Sequence, residues 1–558
     1  MLASVVQPIW FIAFLGFIAG TASVVKYVRD VHEYHQANKK PRKQQLPPKY
    51  PAWVPYLGTI APMLWDFPSF LRRITSYGGQ LTSSRIAIGP NCDIFLFQDR
   101  STVKEIWKKS ASMCAGKVHV FACRYMFGMS EKTLSRYAAD NSGPFAKPYP
   151  GSNILPQDRI HRLLAGGIDK ALTGSGFGLK LERFRETFMS HIQKLEPTDE
   201  KEWIEVEDFH KFAHYTVGAS IIQSIFGPSL LRLNPTFMDD LFEFEHWFPL
   251  LAKGIPEFIL PKPYAVRRRL HSHFKRWYTY AREHFTESSI GPDGDSDPFW
   301  GSEWMRQRQE ALKNLQDEDS LAAGDLGVAW ASLSNIVAAS ALIVLQVAET
   351  PNLVNRVRDE ITSDFGQQSL AEIDLKKLSN NPLLASIYAE TLRLYVETFT
   401  IVSSPIEDVP LGKYWLPKGK LGLVNSAMAH MDNEFWNTKD GLHPLDTFWA
   451  ERFLTDPKDP SSGPSKIVRR EPNYDNPQDT APYFSLKGLE GSWIPYGGGN
   501  LVCPGRFLAK NVMTFACAFL TQEFDIEIIT KELKFGSRNY GFGISMPKHA
   551  IVVRMKRR

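Results

Sequence analysis

The sequence predicts a mainly α chain with small β-sheets, and three observations predict it. Apolar residues recur at helical spacing over 217–226, 264–285, 326–348, 352–365, 383–395 and 507–520. Strand-like runs are fewer and short, at 81–88, 93–97, 421–425 and 551–555. The composition, 43% hydrophobic and 22% charged over 558 residues, is that of a globular chain with a substantial core. "LGKYWLPKGKLGL" looks like a hairpin with Pro417 and Lys418-Gly419 at its turn. Residues 456–491 are rich in Pro, Ser, Asn, Asp and Gly and read as one loop, of a length that usually has a task.

The N-terminus departs from this pattern. Residues 1–25 carry no charge, with only Gln7 and Pro8 weakening the apolar run. A helix of about 20 apolar residues spans a bilayer. Lys26, Arg29, Lys39, Lys40, Arg42 and Lys43 follow immediately. Basic residues on one flank place that flank in the cytosol. A cleaved signal would carry its positive charges before the apolar run. The expectation is a single uncleaved anchor at 1–25, then a basic and proline-rich linker at 26–58. Pro47, Pro48, Pro51 and Pro55 stiffen that linker. Residues 59–558 form the catalytic domain.

Charge is nearly balanced, with 65 Lys and Arg against 60 Asp and Glu, a net +5 that gives no footing for nucleic acid. The five cysteines (Cys92, Cys114, Cys123, Cys503, Cys517) are odd in number and show neither a CxxC nor zinc-ligand spacing. They read as reduced thiols on the cytosolic side.

One cysteine has unusual company. "PYGGGNLVCPGRFLAKN", 495–511, sets three glycines before Cys503 and a helical pattern after it. A cysteinate is a strongly donating ligand of haem iron. Glycines let backbone approach closely, and a helix N-terminus just after the sulfur favours its ionised form. The stretch "YGGGNLVCPG" resembles the haem-ligand signature of the cytochrome P-450 superfamily. Tyr496 stands where that family usually has Phe, and Gly499, Cys503 and Gly505 match. Leu501 stands where a basic residue is frequent.

Two further elements carry the resemblance. "ETLRLY" places Glu390 and Arg393 three apart on one helical face, and "FWAERFL" supplies Arg452 followed by Phe453. Their order before the cysteine loop matches the family, in which such a trio forms a structural core beneath the haem. The long apolar segment 327–347 resembles the family's distal helix. The usual acid next to Thr is missing: no acid lies between Asp325 and Glu349, and no Thr precedes Thr350. Asn335, within "AWASLSN", is similar to the subgroup holding steroid 7α-hydroxylases and prostacyclin synthase. An Asn amide there can order a water or a substrate oxygen, or be satisfied by helix backbone.

What the resemblance implies extends over nearly the whole chain. It implies a cytochrome P-450 fold with an N-terminal transmembrane helix and one haem b (iron protoporphyrin IX) on Cys503. In "QDRIHRLL", Arg159, His161 and Arg162 are candidates for a propionate contact, with Arg162 favoured. Thr398, Ile401 and Val402, and Phe542 and Ile544 of "NYGFGISMPK", are candidate substrate contacts. The implied activity is a monooxygenase acting on a lipophilic terpenoid or steroid of secondary metabolism. It would use O2 and electrons from an NADPH-cytochrome P-450 reductase, at the endoplasmic reticulum membrane. The loop at 456–491 and the triple glycine are similar to filamentous-fungal members. The alternative is a haem-thiolate isomerase or dehydratase of the prostacyclin-synthase type, which needs no NADPH. A third reading is a haem-binding membrane protein without catalysis.

Overall fold

Residues 3–39, 45–54, 56–78, 81–195, 203–467 and 481–558 are described by a computed structural model, and helices dominate them. Lys40, Arg42, Lys43 and Pro55 of the expected linker, and residues 468–480 of the expected loop, lie outside the described residues. The chain divides into two compact units. The first comprises Met1–Ala115, Phe399–Asp432 and Leu489–Val502, and the second Gly116–Thr398, Asn433–Gly488 and Cys503–Arg558.

In the first unit the N-terminal helix is Ala3–Lys39, so it runs on past the expected boundary at residue 25 and carries Lys26 and Arg29. Tyr34 fixes its C-terminal half. This ring is fully buried, its hydroxyl is 2.9 Å from Thr82 Oγ1, and it meets Tyr77 edge-on at 5.0 Å. Strand Ser84–Gly89 pairs antiparallel with Cys92–Leu96, which pairs parallel with Leu421–Asn425. That strand pairs antiparallel with residues 399–402. Beneath lies a core of Phe95, Phe97, Ile106, Val402, Leu411 and Ile494. The expected hairpin turn moves. Val409–Leu411 pairs with Tyr414–Leu416 around Gly412, whose φ of 70° suits glycine, and the Pro417–Gly419 turn leads away into the other sheet.

Val402 corrects one substrate assignment. Neighbouring strand residues point to opposite faces, so Ile401 and Val402 cannot share an environment. Val402 is fully buried in the core of the first unit, and Ile401 is half-buried on the other face.

The second unit is built on the helix Glu318–Glu349, called here the long helix. Asp317 caps it by accepting the Ser320 N–H at 2.8 Å. Its most apolar window has mean hydropathy 2.0 and is 72% buried within the protein, so this is a core helix. Among the described residues it is the one helix long and apolar enough to cross a membrane. Against it lie the helix Pro382–Tyr395 and the helix Arg506–Glu523, which follows Cys503. Several helices escape the periodicity reading, Arg100–Lys109, Ile160–Leu172 and Gly176–Gln193 among them. Phe237–Leu251 is helical although Asp239, Asp240, Glu243 and Glu245 interrupt its apolar pattern, and His214–Gly218 is a π-helical turn. A three-stranded sheet has Val553–Arg557 in the middle, flanked by Phe524–Ile528 and Ile204–Val206. All five cysteines are free thiols.

Candidate active site

Cys503 sits just before the N-terminus of the helix Arg506–Glu523, for which Gly505 is the N-cap. The residue is exposed, yet enough protein surrounds the sulfur for burial to push the thiol up from its ordinary value. The backbone N–H groups of Gly505 and Arg506 and the Arg506 charge pull the other way, toward thiolate. Arg506 also folds back to donate to Cys503 O at 3.0 Å. A Cβ on Gly505 would stand 3.7 Å from the sulfur, so glycine keeps that side of Sγ clear.

The glycines before Cys503 belong to the first unit. A Cβ on Gly498 would lie 2.8 Å from the Trp107 indole. One on Gly499 would strike Trp107 O and Ser110 Oγ, and Gly499 has φ 56°. Ser110 Oγ accepts the Asn500 N–H at 2.8 Å. Packing on Trp107 and Ser110 therefore excludes side chains at these two positions. Gly499→Ala should destabilise the first unit by ~1–3 kcal/mol, read as a shifted denaturation midpoint. Tyr496 is half-buried, its ring 6.5 Å from that of Trp493.

The structure brings Glu390, Arg393 and Arg452 together in the second unit, all three side chains fully buried. Arg393 grips Glu390 with two nitrogens, at 2.7 and 2.8 Å, and Arg452 Nε donates at 2.9 Å. The remaining donors are used on backbone carbonyls: Arg393 on Leu445, and Arg452 on Asn437, His443 and Pro444. Burial alone would raise the Glu390 carboxyl, but the two guanidinium groups outweigh it and hold it below the usual carboxylate range.

Of the three basic candidates, Arg159 and His161 are committed elsewhere. Arg159 is buried and donates to Ser142 Oγ and the carbonyls of Gly143, Phe145 and Ala146. His161 lies 3.1 Å from Tyr137 O through Nε2. Arg162 is half-buried, has no such partner among the described residues, and lies along its own helix over Gly166.

Asn335 lies on the long helix. Val328, Ala331, Ser332 and Asn335 form a half-buried to exposed stripe on a helix whose other faces are covered. Asn335 Oδ1 accepts the Ile544 N–H at 3.1 Å. Its satisfaction comes from the strand Phe542–Ile544, not from helix backbone. Gly543 makes room, since a Cβ there would overlap Asn335 Oδ1. Gly543→Ala should break this clasp at a cost of ~1–3 kcal/mol, seen as faster amide exchange at Ile544. That strand also pairs with the start of the strand Val396–Val402, setting Phe542 opposite Thr398. Asp325, the buried acid of the long helix, is spent on structure. It accepts from Tyr278 at 2.6 Å, Arg308 at 2.5 Å and Gln309 at 3.0 Å.

A cavity of ≈ 20 Å³, about the size of one water, adjoins Asn335. Phe248, Trp330, Phe542 and Ile544 supply its apolar wall, with Phe248 stacked on Trp330 at 3.8 Å. Ser334 and Glu245 supply polar groups. Sequence reading passed over Glu245. The available signal was a lone acid placed with Leu241, Phe244 and Phe248 on one helical face of "LFEFEHWF".

A surface thiol at a helix N-terminus, its sulfur met by two backbone N–H groups, is the donor arrangement of a haem-thiolate enzyme. The chain belongs to the cytochrome P450 family, whose pattern, described as "Cytochrome P450", matches residues 180–554. It is an enzyme, a haem-thiolate oxidoreductase of the cytochrome P450 monooxygenase type. Among its relatives is "Cytochrome P450 monooxygenase efuG" of Hormonema carpetanum, 29% identical over 94% of this chain and 92% of that protein. "Cytochrome P450 monooxygenase fsoE" of Humicola fuscoatra is 29% identical over 93% and 89%. "25-hydroxycholesterol 7-alpha-hydroxylase" of Rattus norvegicus is 27% identical over 74% and 93%.

Proposed function

We propose that this protein is a membrane-anchored monooxygenase that hydroxylates a lipophilic terpenoid or steroid. The observation that carries the reading is the Cys503 arrangement, paired in the same unit with a distal helix bearing Asn335 instead of an acid and Thr. Relatives named as fungal monooxygenases and as a sterol 7α-hydroxylase support the substrate class. Residues 1–25 are the anchor, in the endoplasmic reticulum membrane, and an NADPH-cytochrome P450 reductase supplies electrons.

Cys503 and Gly505 would hold haem b, Arg162 would meet a propionate, and Tyr496 and Gly499 would complete the loop. Bound haem supplies the activation of O2 and the oxidation of an unactivated C–H bond. The chain's own residues do the rest. The N–H groups of Gly505 and Arg506 hold negative charge on Sγ. Glu390, Arg393 and Arg452 fix the segments on which the cysteine helix rests. Asn335 keeps its amide N–H₂ for a water or substrate oxygen, because its carbonyl is spent on Ile544. Thr398, Phe542 and Ile544 face the substrate.

The test is turnover in microsomes with purified reductase, NADPH, labelled dioxygen and a panel of sterols and terpenoids. Label in an NADPH-dependent product is the expected result. Conversion without NADPH and without label would replace this reading with the isomerase one.

A further inference from the structure

Glu245 is the most unusual titratable group that the proposed chemistry leaves unused. It comes from the helix Phe237–Leu251 and its side chain is 6% exposed. Oε1 has no hydrogen-bond partner among the described residues. Nδ1 of His214, from the π-helical turn, lies 3.6 Å from Oε2, too far for a hydrogen bond. His214 gives its other nitrogen to Met238 O at 2.9 Å. Burial pushes the Glu245 carboxyl up to about 8 and takes the His214 ring down to about 3, so two neutral groups face each other near neutral pH.

Ser334 repeats the pattern from the long helix. Serines in helices usually return their proton to the carbonyl one turn back, as Ser220 does to Thr216 O at 2.7 Å. Ser334 is buried and its Oγ has no partner among the described residues. Both side chains line the small cavity beside Asn335, whose other walls are Phe248, Trp330, Phe542, Ile544 and Met546, with Asn539 as a further polar residue. Two unsatisfied buried polar groups on one cavity cost stability, and a ligand that completes them recovers it.

We propose that Glu245 and Ser334 form a recognition subsite for one neutral oxygen function, a hydroxyl or carbonyl, carried by an otherwise apolar substrate. This rests on the reading of the protein as an enzyme of lipophilic substrates and adds that the substrate arrives already oxygenated. A carboxylic acid donates to a carbonyl oxygen and accepts from a hydroxyl, and a serine does both. The cavity has room for one oxygen-sized group, and Phe248 and Trp330 give it an apolar wall. A carboxylate would enter with an uncompensated charge and be rejected. The reaction that makes the substrate must therefore leave a hydroxyl or carbonyl on its skeleton.

The experiment titrates the haem-loaded full chain and reads binding from the change in haem absorption. The probes are two matched pairs: androstane with androstan-3-one, and the hydrocarbon farnesene with the alcohol farnesol. The oxygenated member of at least one pair should bind about tenfold more tightly. Glu245→Leu should abolish that preference while leaving hydrocarbon affinity in place, and Glu245→Gln, which still donates and accepts, should keep most of it. If Glu245→Leu fails to fold, Ser334→Ala reads the same preference and should reduce it. Equal affinity within both pairs, absence of binding by the oxygenated members included, overturns the proposal and leaves the cavity a water site. So does a preference that survives Glu245→Leu, or Ser334→Ala where that stands in. The titration needs no reductase, so failure of NADPH-dependent turnover would sink the monooxygenase reading without deciding this one.

Discussion

Cys503→Ser should remove the red-shifted Soret band of the reduced carbonyl complex and take oxygenation below detection, while the protein still folds. Two facts separate the effects. Cys503 is exposed, and its sulfur is met by backbone N–H groups that a serine oxygen also satisfies, so the fold should lose within about 0.5 kcal/mol. Chemistry depends instead on electron donation from sulfur, which oxygen does not match. The checks are the carbonyl difference spectrum and circular dichroism melting on one preparation. A variant that kept the thiolate spectrum would move the ligand to another of the five cysteines. Burial pushes Cys123 and Cys517 each up to about 12, and these two are poorly suited to ionise.

Glu390→Ala should be the most damaging single change to stability, by about 3–5 kcal/mol, because it leaves Arg393 and Arg452 buried without their anion. Loss of soluble, haem-retaining protein in expression and a large drop in urea midpoint are the expected readouts. Normal haem retention would show that the trio does not support the site. The same trio gives a pH dependence whose sign is fixed. The folded Glu390 carboxyl titrates below its unfolded value, so its contribution is complete above the unfolded value. That contribution is lost as pH falls through the folded one. Wild-type stability should therefore decline on acidification, and a Glu390→Gln variant that folds should show a shallower decline.

The sequence made the helices legible where apolar spacing was unbroken. The expected 383–395 helix is Pro382–Tyr395, and 507–520 is Arg506–Glu523. It failed where polar residues sit inside a buried pattern. Glu245 on the helix Phe237–Leu251 reads as a surface acid until the fold sets it beside one cavity with Trp330 and Ser334 of the long helix. Strand pairing was less legible than strand presence. Leu421–Asn425 reads as a strand, but its partners Cys92–Leu96 and residues 399–402 are not local in sequence. Site residues divide the same way. Glu390 and Arg393 are neighbours along one helix, so their meeting follows from spacing. The meeting of Asn335 with Ile544 joins residues 209 apart and follows only from the fold.

The sheet at the C-terminal end of the second unit carries a consequence for how the chain acquires its structure. Its middle strand, Val553–Arg557, is made after both its neighbours, about 350 residues after Ile204–Val206. Neither edge can pair across that gap until the middle strand emerges. The ribbon Phe524–Ile528 with Val553–Arg557 needs only a short loop to close, whereas capture of Ile204–Val206 closes a long one. The ribbon therefore forms first and Ile204–Val206 docks onto it last. Until then that strand, already synthesised, waits with its backbone groups unpaired and open to association with other chains.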